Sequence, residues 1–371
     1  KKYMNKNIVC LGLMSGTSGD GVDASIIRSD GENEFEKIAD YYGEYDQKIK
    51  NNIYEINEIF RNKIDTSSRI SEILNENSQR IEQLSLLITN FHSKFSNKIL
   101  KKNDFDLIGF HGQTILHRPK DKISLQIGDG EILSNETKKP VVYNFRENDI
   151  RCGGEGAPLT PIFHKLLAKK FNLKLPLSFL NIGGISNITT IDNGMNLYSS
   201  DIGPGNCMID NWIRINSNKS FDENGSISKK GNIDKFILDQ TLDNYFNSSI
   251  VKKRSLDIND FDIQFIRGLS FENGARTLTE ITAEILSSKI KNEKIYVCGG
   301  GRKNKLLIEL IEKKIGRKLF LIDDLNIDGD FIESQAFAYL AIRSKLGKPI
   351  SFPETTGCKN PSVGGTLVKN F

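Results

Sequence analysis

The sequence predicts an α/β protein made of two related halves, and three observations carry that expectation. Strand-like apolar runs alternate with helical ones along nearly the whole chain. A strand, a glycine turn and a second strand open it in "NIVCLGLMSGTSGDGVDASII", and the theme returns in "LPLSFLNIGGISNITTID". The chain has 371 residues, more than one hydrophobic core usually organises, so two domains are expected.

Taken in order, "NIVCLGLM" reads as a strand and "GVDASIIRSD" as its hairpin partner across the glycine-rich connection. Residues 66–102 read as helix, because Leu84, Ile88, Phe91, Phe95 and Ile99 recur at steps of three and four, with Asp65, Thr66 and Ser67 as N-cap candidates. "FDLIGFHG" is a buried strand, followed by "SLQIGDGEIL", where Asp129 suits turn chemistry. A second round starts near "KKPVVYN". In it "GMNLYSSDIGPGN" is a strand running into a turn, with Asn206 placed to cap the helix "CMIDNWIRI". The polar stretch 216–258 carries no clear assignment. "FIRGLSFENGARTLTEITAEILSSKI" reads as helix, "KIYVCGGG" as a strand entering a glycine turn, and "NKLLIELIEKKIG" as a helix ended by Gly316. "DFIESQAFAYLAIRSKLG" is a helix with an apolar face including Ile332, Ala336 and Leu340, closed by Gly347.

Bulk composition excludes several function classes. The 51 basic and 47 acidic residues leave a net charge of +4, too balanced for a nucleic-acid footprint. Five scattered cysteines with no CxxC pair give neither a disulfide framework nor a zinc site, which suits a reduced, cytoplasmic setting. No apolar run approaches membrane-spanning length, and the opening "KKYMNKNIVCLGLMSG" is too short in apolar residues for a secretory signal. Met4 is a candidate start, with Lys1 to Tyr3 left from processing or cloning.

The opening turn concentrates small, polar residues. Its glycines allow close backbone approach, and successive amides form an anion nest to which Ser15, Thr17 and Ser18 add hydroxyl donors. Asp20 and Asp23 would repel a bare phosphate, so they make sense if Mg²⁺ lies between carboxylate and phosphate. A plain hairpin turn is the alternative. No GxxxxGK[ST] motif occurs, and strand–turn–strand is the wrong context for a dinucleotide fingerprint. Two further turns, "NIGGISN" with Gly183 and Gly184 and "CGGGRKN" with Gly299, Gly300, Gly301 and Asn304, also follow apolar strands. The latter precedes a helix, whose positive end suits a nucleotide. Three such turns in two similar halves suggest a cleft that wraps a nucleoside triphosphate.

The ordered set "GLMSGTSGDGVD", "GFHGQTILHRP", "LQIGDGEIL", "GGEGAPLTPIFH", "NIGGISNIT", "DIGPGNCMID", "VCGGGRKN" and "ESQAFAYLA" resembles the motifs of the anhydro-N-acetylmuramic acid kinase family from about Gly12 to Ala341. The resemblance implies two ribonuclease-H-like domains of the sugar kinase, Hsp70 and actin type, with an interdomain ATP cleft. The expected division is residues 1–143 with 351–371, and residues 144–350. It also implies the reaction: water opens 1,6-anhydro-N-acetylmuramic acid at C1 while O6 takes the γ-phosphoryl group of ATP, giving N-acetylmuramic acid 6-phosphate and ADP. A homodimer, ATP and Mg²⁺ come with it.

By the same resemblance, Gly16, Thr17, Ser18, Gly19, Asp20, Gly21, Val22 and Asp23 bind ATP, with Gly183, Gly184, Gly299, Gly300, Gly301 and Asn304. Asp20 and Asp23 are the Mg²⁺ candidates. Asp201 matches the catalytic aspartate, a base for water on the face opposite the departing O6, as in inverting glycosidases. Backbone hydrogen bonding within its Gly-Pro-Gly turn is the other role an aspartate takes there. Glu333 is placed near the sugar, where complementing a helix dipole is the alternative. His111 and Gln113 are candidates for the sugar hydroxyls or the lactyl carboxylate, or are structural. The spacing of His111 and His117 suits no standard zinc site. Arg146 and Asp149 are further substrate candidates, or a surface ion pair.

Two departures stand out. Asn144 replaces an aspartate that many relatives carry, and Lys252, Lys253 and Arg254 stand where relatives usually read proline-proline-lysine. Competing functions are a same-fold kinase of another sugar, which needs no attacking water, and a non-catalytic nucleotide switch of the actin or Hsp70 kind.

Overall fold

The computed structural model describes residues 7–63, 69–292 and 294–371. The N-cap candidates Asp65, Thr66 and Ser67 and the candidate start Met4 lie outside them. Contacts divide the chain into two compact units, Lys1–Asn172 with Phe331–Phe371, and Leu173–Asp330. The sequence reading places these boundaries at 143/144 and 350/351. Strand pairing and helix packing decide where they fall, as the first unit shows.

The first unit contains strands β1 (Ile8–Ser15), β2 (Gly21–Ser29), β3 (Phe35–Glu44), β4 (Leu107–Arg118), β5 (Ile123–Ile127) and β6 (Val141–Tyr143). Its helices are α1 (Gln47–Lys63), α2 (Ile70–Glu76), α3 (Ser78–Leu100), α4 (Gly130–Thr137), α5 (Glu147–Arg151) and α6 (Pro161–Lys170). The helix read over 66–102 is thus two, α2 and α3, meeting at Asn77. β1, β2 and β3 form an antiparallel meander; β4 and then β6 add parallel beyond β1.

The second unit has β7 (Leu177–Ile182), β8 (Ile185–Ile191), β9 (Leu197–Pro204), β10 (Lys294–Cys298) and β11 (Phe320–Leu321). Its helices are α7 (Cys207–Asn216), α8 (Lys235–Asn247), α9 (Phe271–Lys289) and α10 (Lys305–Ile315). β7, β8 and β9 again form an antiparallel meander, and β10 and β11 again add parallel beyond β7. The repeat expected from the two strand–glycine–strand segments is therefore a repeat of topology. The chain then returns to the first unit with α11 (Ile332–Lys345), α12 (Pro353–Thr356) and β12 (Thr366–Val368), which pairs with β6.

Side-chain alternation explains how the first sheet is covered on both faces. Leu11, Leu13, Val22, Ala24 and Ile26 enter the core shared with α1 and α3. The opposite parity turns toward α11, which packs on β1, β2 and β4. The approach is close: a Cβ on Gly12 would stand 1.9 Å from the Ser334 carbonyl oxygen, so only glycine fits. α11 is consequently buried from Ser334 to Arg343 without interruption, rather than on the one apolar face expected. It stays with the first sheet, as does α6, which touches it, and the boundaries fall after Asn172 and Asp330 for that reason.

In the second unit, Leu180, Ile182, Ile295 and Val297 pack against Ala283, Leu286, Leu307 and Ile311 of α9 and α10. Trp212, the single tryptophan, joins a second cluster with Met208 and Leu278 and donates its indole N–H to the Phe271 carbonyl at 2.9 Å. No helix among the described residues is long and apolar enough to cross a membrane.

All four histidines lie in the first unit. Burial pushes His92 down to about 4 and His164 to about 3; burial and then the Arg146 charge push His117 to about 3 and His111 well down. The folded unit therefore keeps these rings neutral below pH 6.5, where an unfolded chain protonates them. Its stability must fall as pH drops below about 6.5, by roughly 1 kcal/mol at pH 5.5 for each fully buried ring. Hydrogen exchange of β1 and β4 at pH 7.5 and 5.5 should show this loss. The urea transition of Trp212 fluorescence, which reports on the histidine-free second unit, should move less.

Candidate active site

The first glycine turn joins β1 to β2 through residues 16–20. Its closing bond runs from the Gly19 amide to the Gly16 carbonyl at 3.2 Å. The same carbonyl accepts Gln113 Nε2 at 2.9 Å, so a fully buried glutamine on β4 holds the turn from below. Ser15 points inward, its Oγ 2.8 Å from Tyr45 Oη and 3.4 Å from His92 Nε2. That removes it from the expected phosphate donors, and leaves Thr17 and Ser18 exposed. Gly21 and Val22 start β2, and the Val22 side chain is core, so only its backbone faces a ligand.

Asp20 is exposed, and its carbonyl accepts the Tyr45 amide at 3.0 Å. Asp23 is half-buried, opposite Tyr42 on β3. Partial burial raises the Tyr42 hydroxyl, and the charges of Asp20, Asp23 and Glu44 raise it further. The end of this hairpin therefore carries a shared negative field, which suits a cation. Among the described residues no group of three ligating side chains makes a metal site by itself.

A second cluster of the same unit surrounds Arg146. The buried His111 ring has Nε2 3.0 Å from Arg146 Nη2 and 3.2 Å from its Nε, while Nδ1 lies 2.9 Å from the Gly112 carbonyl. Arginine only donates, so Nε2 accepts, and the ring proton sits on Nδ1 and goes to Gly112. Both ring nitrogens are thus committed to protein partners, Arg146 and Gly112. Gln113 stands behind the turn. Glu333, in the first turn of α11, has its carboxyl raised by burial, with Arg146 pulling it partly back. The start of α11 is tied down by Ser334 Oγ to Ser25 Oγ at 2.7 Å and by Ser25 Oγ donating to Asp40 at 2.7 Å.

Asp149 is buried and accepts the Gly156 amide at 2.7 Å and the Thr356 hydroxyl at 2.6 Å. Its carboxylate thus shapes the "GGEGAP" loop. Asn144 adopts φ 55°, a left-handed position asparagine tolerates well. Asp129 caps α4, accepting the amides of Glu131 and Ile132. His117 pairs through Nδ1 with Ser124 Oγ at 2.9 Å.

In the second unit the two remaining glycine turns leave the sheet side by side. β7 and β10 are parallel with Asn181 opposite Cys298, so Gly183–Gly184 and Gly299–Gly301 follow adjacent strand ends. A third turn closes on them: the Gly183 carbonyl accepts the Asn206 amide at 2.8 Å, and the Gly184 carbonyl accepts Gly205 at 2.9 Å and Cys207 at 3.2 Å. Asn206 stands at the start of α7 as expected, but its side chain makes no capping bond; its backbone is already helical and its amide serves the turn. Asn304 does cap α10, accepting the Leu307 amide at 3.1 Å. Residues 300–303 form a 3-10 turn, so the glycines stand one turn ahead of α10 rather than at its first residues.

Arg302, not singled out in the sequence, anchors that turn. Its buried guanidinium donates to the Gly299 carbonyl at 3.1 Å, to Asp323 at 2.7 and 3.0 Å, to Asp330 at 2.7 Å and to Asp328 at 3.2 Å. Partial burial raises the Asp323 and Asp330 carboxyls, but the Arg302 bonds and charge outweigh it and hold both low. The acid-rich run "DDLNIDGD" was the available signal.

Asp201 lies on β9, partly exposed and paired in register with Asn187. Its amide donates to the Arg254 carbonyl at 2.9 Å, and its Oδ2 accepts the Leu256 amide at 2.8 Å. The run that departs from proline-proline-lysine therefore holds the Asp201 backbone through Arg254, and its carboxylate is held two residues further on, by Leu256.

Comparison with known proteins agrees with the resemblance. The family model described as "Anhydro-N-acetylmuramic acid kinase" matches residues 8–370. The anhydro-N-acetylmuramic acid kinase of Pelagibacter ubique is 52% identical over 383 residues, covering 99% of this chain and 100% of that protein. Those of Brucella canis and Agrobacterium fabrum are 36% and 38% identical, each covering 97% of this chain and 98% of the relative.

The turn-on-turn packing makes a direct prediction. A Cβ on Gly205 would stand 2.0 Å from the Gly183 carbonyl oxygen, whereas one on Gly300 meets nothing within 4 Å. Gly205→Ala should destabilise the second unit by about 2 kcal/mol or more. Gly300→Ala should stay within about 0.5 kcal/mol of the parent. Urea unfolding followed by Trp212 fluorescence reads both.

Proposed function

The chain belongs to the anhydro-N-acetylmuramic acid kinase family, and on that premise we propose how its residues divide the reaction. The activity is ATP-dependent: 1,6-anhydro-N-acetylmuramic acid is opened hydrolytically and phosphorylated on O6, giving N-acetylmuramic acid 6-phosphate and ADP, in peptidoglycan recycling. Asp201 is the general base. The observation that carries this is the clamp on its carboxylate, with Oδ2 held by the Leu256 amide on a partly exposed strand position beside a rigid turn. A carboxylate held in one orientation can take a proton from water without first reorganising.

Bond by bond, Asp201 takes a proton from water as the water oxygen bonds to C1. The C1–O6 bond breaks, O6 bonds to the γ-phosphorus, and the bond from that phosphorus to the β–γ bridging oxygen breaks, releasing ADP. The departing O6 passes to phosphorus, so no separate acid is required. The glycine turns at residues 16–23, 183–184 and 299–301 are assigned to ATP, with Thr17 and Ser18 adding hydroxyls. Asp20 and Asp23 fit Mg²⁺, given the negative field that Tyr42 senses; Mg²⁺ is typically held by one or two carboxylates plus phosphate oxygens, and neutralises phosphate charge. Arg146 and Glu333 are assigned to the substrate, with His111 and Gln113 supporting from behind. Arg146 supplies a fixed cation for the lactyl carboxylate. A homodimer and a reducing cytoplasmic setting belong to the same reading; the latter is supported by five free cysteines.

Asp201→Asn should lower turnover by about a thousandfold while the Kd for ATP stays within about twofold. Wild-type turnover by that variant would remove Asp201 from the mechanism. In ¹⁸O-water the label should appear on C1, initially with inverted configuration, as mass spectrometry and NMR of the product would show. Label on phosphate instead would mean ATP hydrolysis.

A further inference from the structure

We infer that Asp260 is a positioning residue for Asp201, acting through the segment 253–257. This rests on the assignment of Asp201 as base and adds the device that aims it. The segment touches Asp201 twice by backbone, through the Arg254 carbonyl and the Leu256 amide, 2.9 and 2.8 Å away. Those bonds hold the carboxylate only if the segment itself is fixed. Arg254 to Leu256 lies in no regular element, and side-chain bonds at both of its ends help fix its place.

Asp260 grips both. One carboxylate oxygen pairs with Lys253 Nζ at the near end, and the other accepts the Asp257 amide at 2.9 Å at the far end. The Asp260 amide returns a bond to the Asp257 carbonyl at 3.0 Å. A single side chain thus closes a loop of eight residues, with Leu256 buried at its centre. The ion pair is well shielded, its side chains 24% and 18% exposed, which makes it stronger than a surface pair. Asp260 is itself backed by the second unit's core: Phe261 stacks on Tyr245 with centroids 6.3 Å apart. The Tyr245 hydroxyl is raised to about 12 by burial and then by the Asp260 charge.

The physical consequence is specific. Loosening the segment leaves the glycine turns and the sheet intact but weakens the bond from the Leu256 amide that orients the Asp201 carboxylate. Binding of ATP should survive; the chemical step should not.

The test measures kcat, KM for ATP and KM for the anhydro-sugar, with urea unfolding as the folding control, in the full chain. Asp260→Ala should lower kcat about tenfold or more, since a misplaced catalytic group is costly, with KM for ATP within about twofold. Asp260→Asn and Lys253→Met each remove only the ion pair. They should lower kcat by about threefold alike, and together no further. In an Asp201→Asn background, Asp260→Ala should change the residual rate by less than about twofold. Wild-type kcat in Asp260→Ala alongside an inactive Asp201→Asn overturns the inference and spares the base assignment. So does an Asp260→Ala effect that persists undiminished without the Asp201 carboxylate. Wild-type turnover by Asp201→Asn would sink the base assignment itself. Should Asp260→Ala not fold, the two ion-pair variants decide: full kcat in both overturns the inference.

Discussion

The Gly183 carbonyl accepting the Asn206 amide at 2.8 Å is the contact that organises the turns of the second unit. It locks the β7–β8 turn against the turn after β9, and the neighbouring Gly184 carbonyl takes two more amides from the same stretch. The Gly183 amide is spent as well, on the Ile185 carbonyl at 3.3 Å, so the turn is fixed from both sides of its backbone. The contact is possible only because position 205 has no side chain. Asp201, four residues earlier on β9, inherits its place from the same fixed geometry.

The first unit reaches a comparable result by different means. Its hairpin turn occupies the topological position of the β7–β8 turn, at the end of the central strand. Here side chains brace it from beneath: Gln113 at Gly16, and Tyr45 and His92 at Ser15. The brace is neutral, because burial holds His92 uncharged near neutral pH. The negative field of Asp20 and Asp23 is therefore not offset by this brace, while Glu44 pairs with Lys50 at 2.6 Å. Arg146 is the positive counterpart in this unit, and His111 Nε2 accepts hydrogen bonds from its guanidinium.

Around Asp201 the chain uses backbone donors and a shielded ion pair rather than proline to stiffen the adjoining segment. Lys253, read in the sequence as a departure, has a structural purpose in its pairing with Asp260. Arg302 does for the glycine turn at 299–301 what Asp260 does for 253–257. In both cases a charged group outside the ligand-facing surface fixes a backbone that carries the chemistry.

Local pattern determined much of this protein. Strand–glycine–strand segments announced both hairpins, and the three- and four-residue steps after Leu84 announced α3. The ordered motifs identified the family and its reaction, and Gly316 ended α10 where expected. What it left open depended on distance along the chain. β3 lacks clean alternation and exists because β2 pairs with it. α11 belongs to the first unit because Gly12 admits it, 322 residues from Ser334. Ser15 and Asp149 look like ligand groups in sequence, but turn inward to Tyr45 and Thr356. Such choices are made by contacts between segments that no local window contains: the Leu256 amide meets Asp201 across 55 residues. Short-range periodicity sets which elements form; burial and hydrogen-bond satisfaction, which need the whole fold, decide which polar groups remain for chemistry.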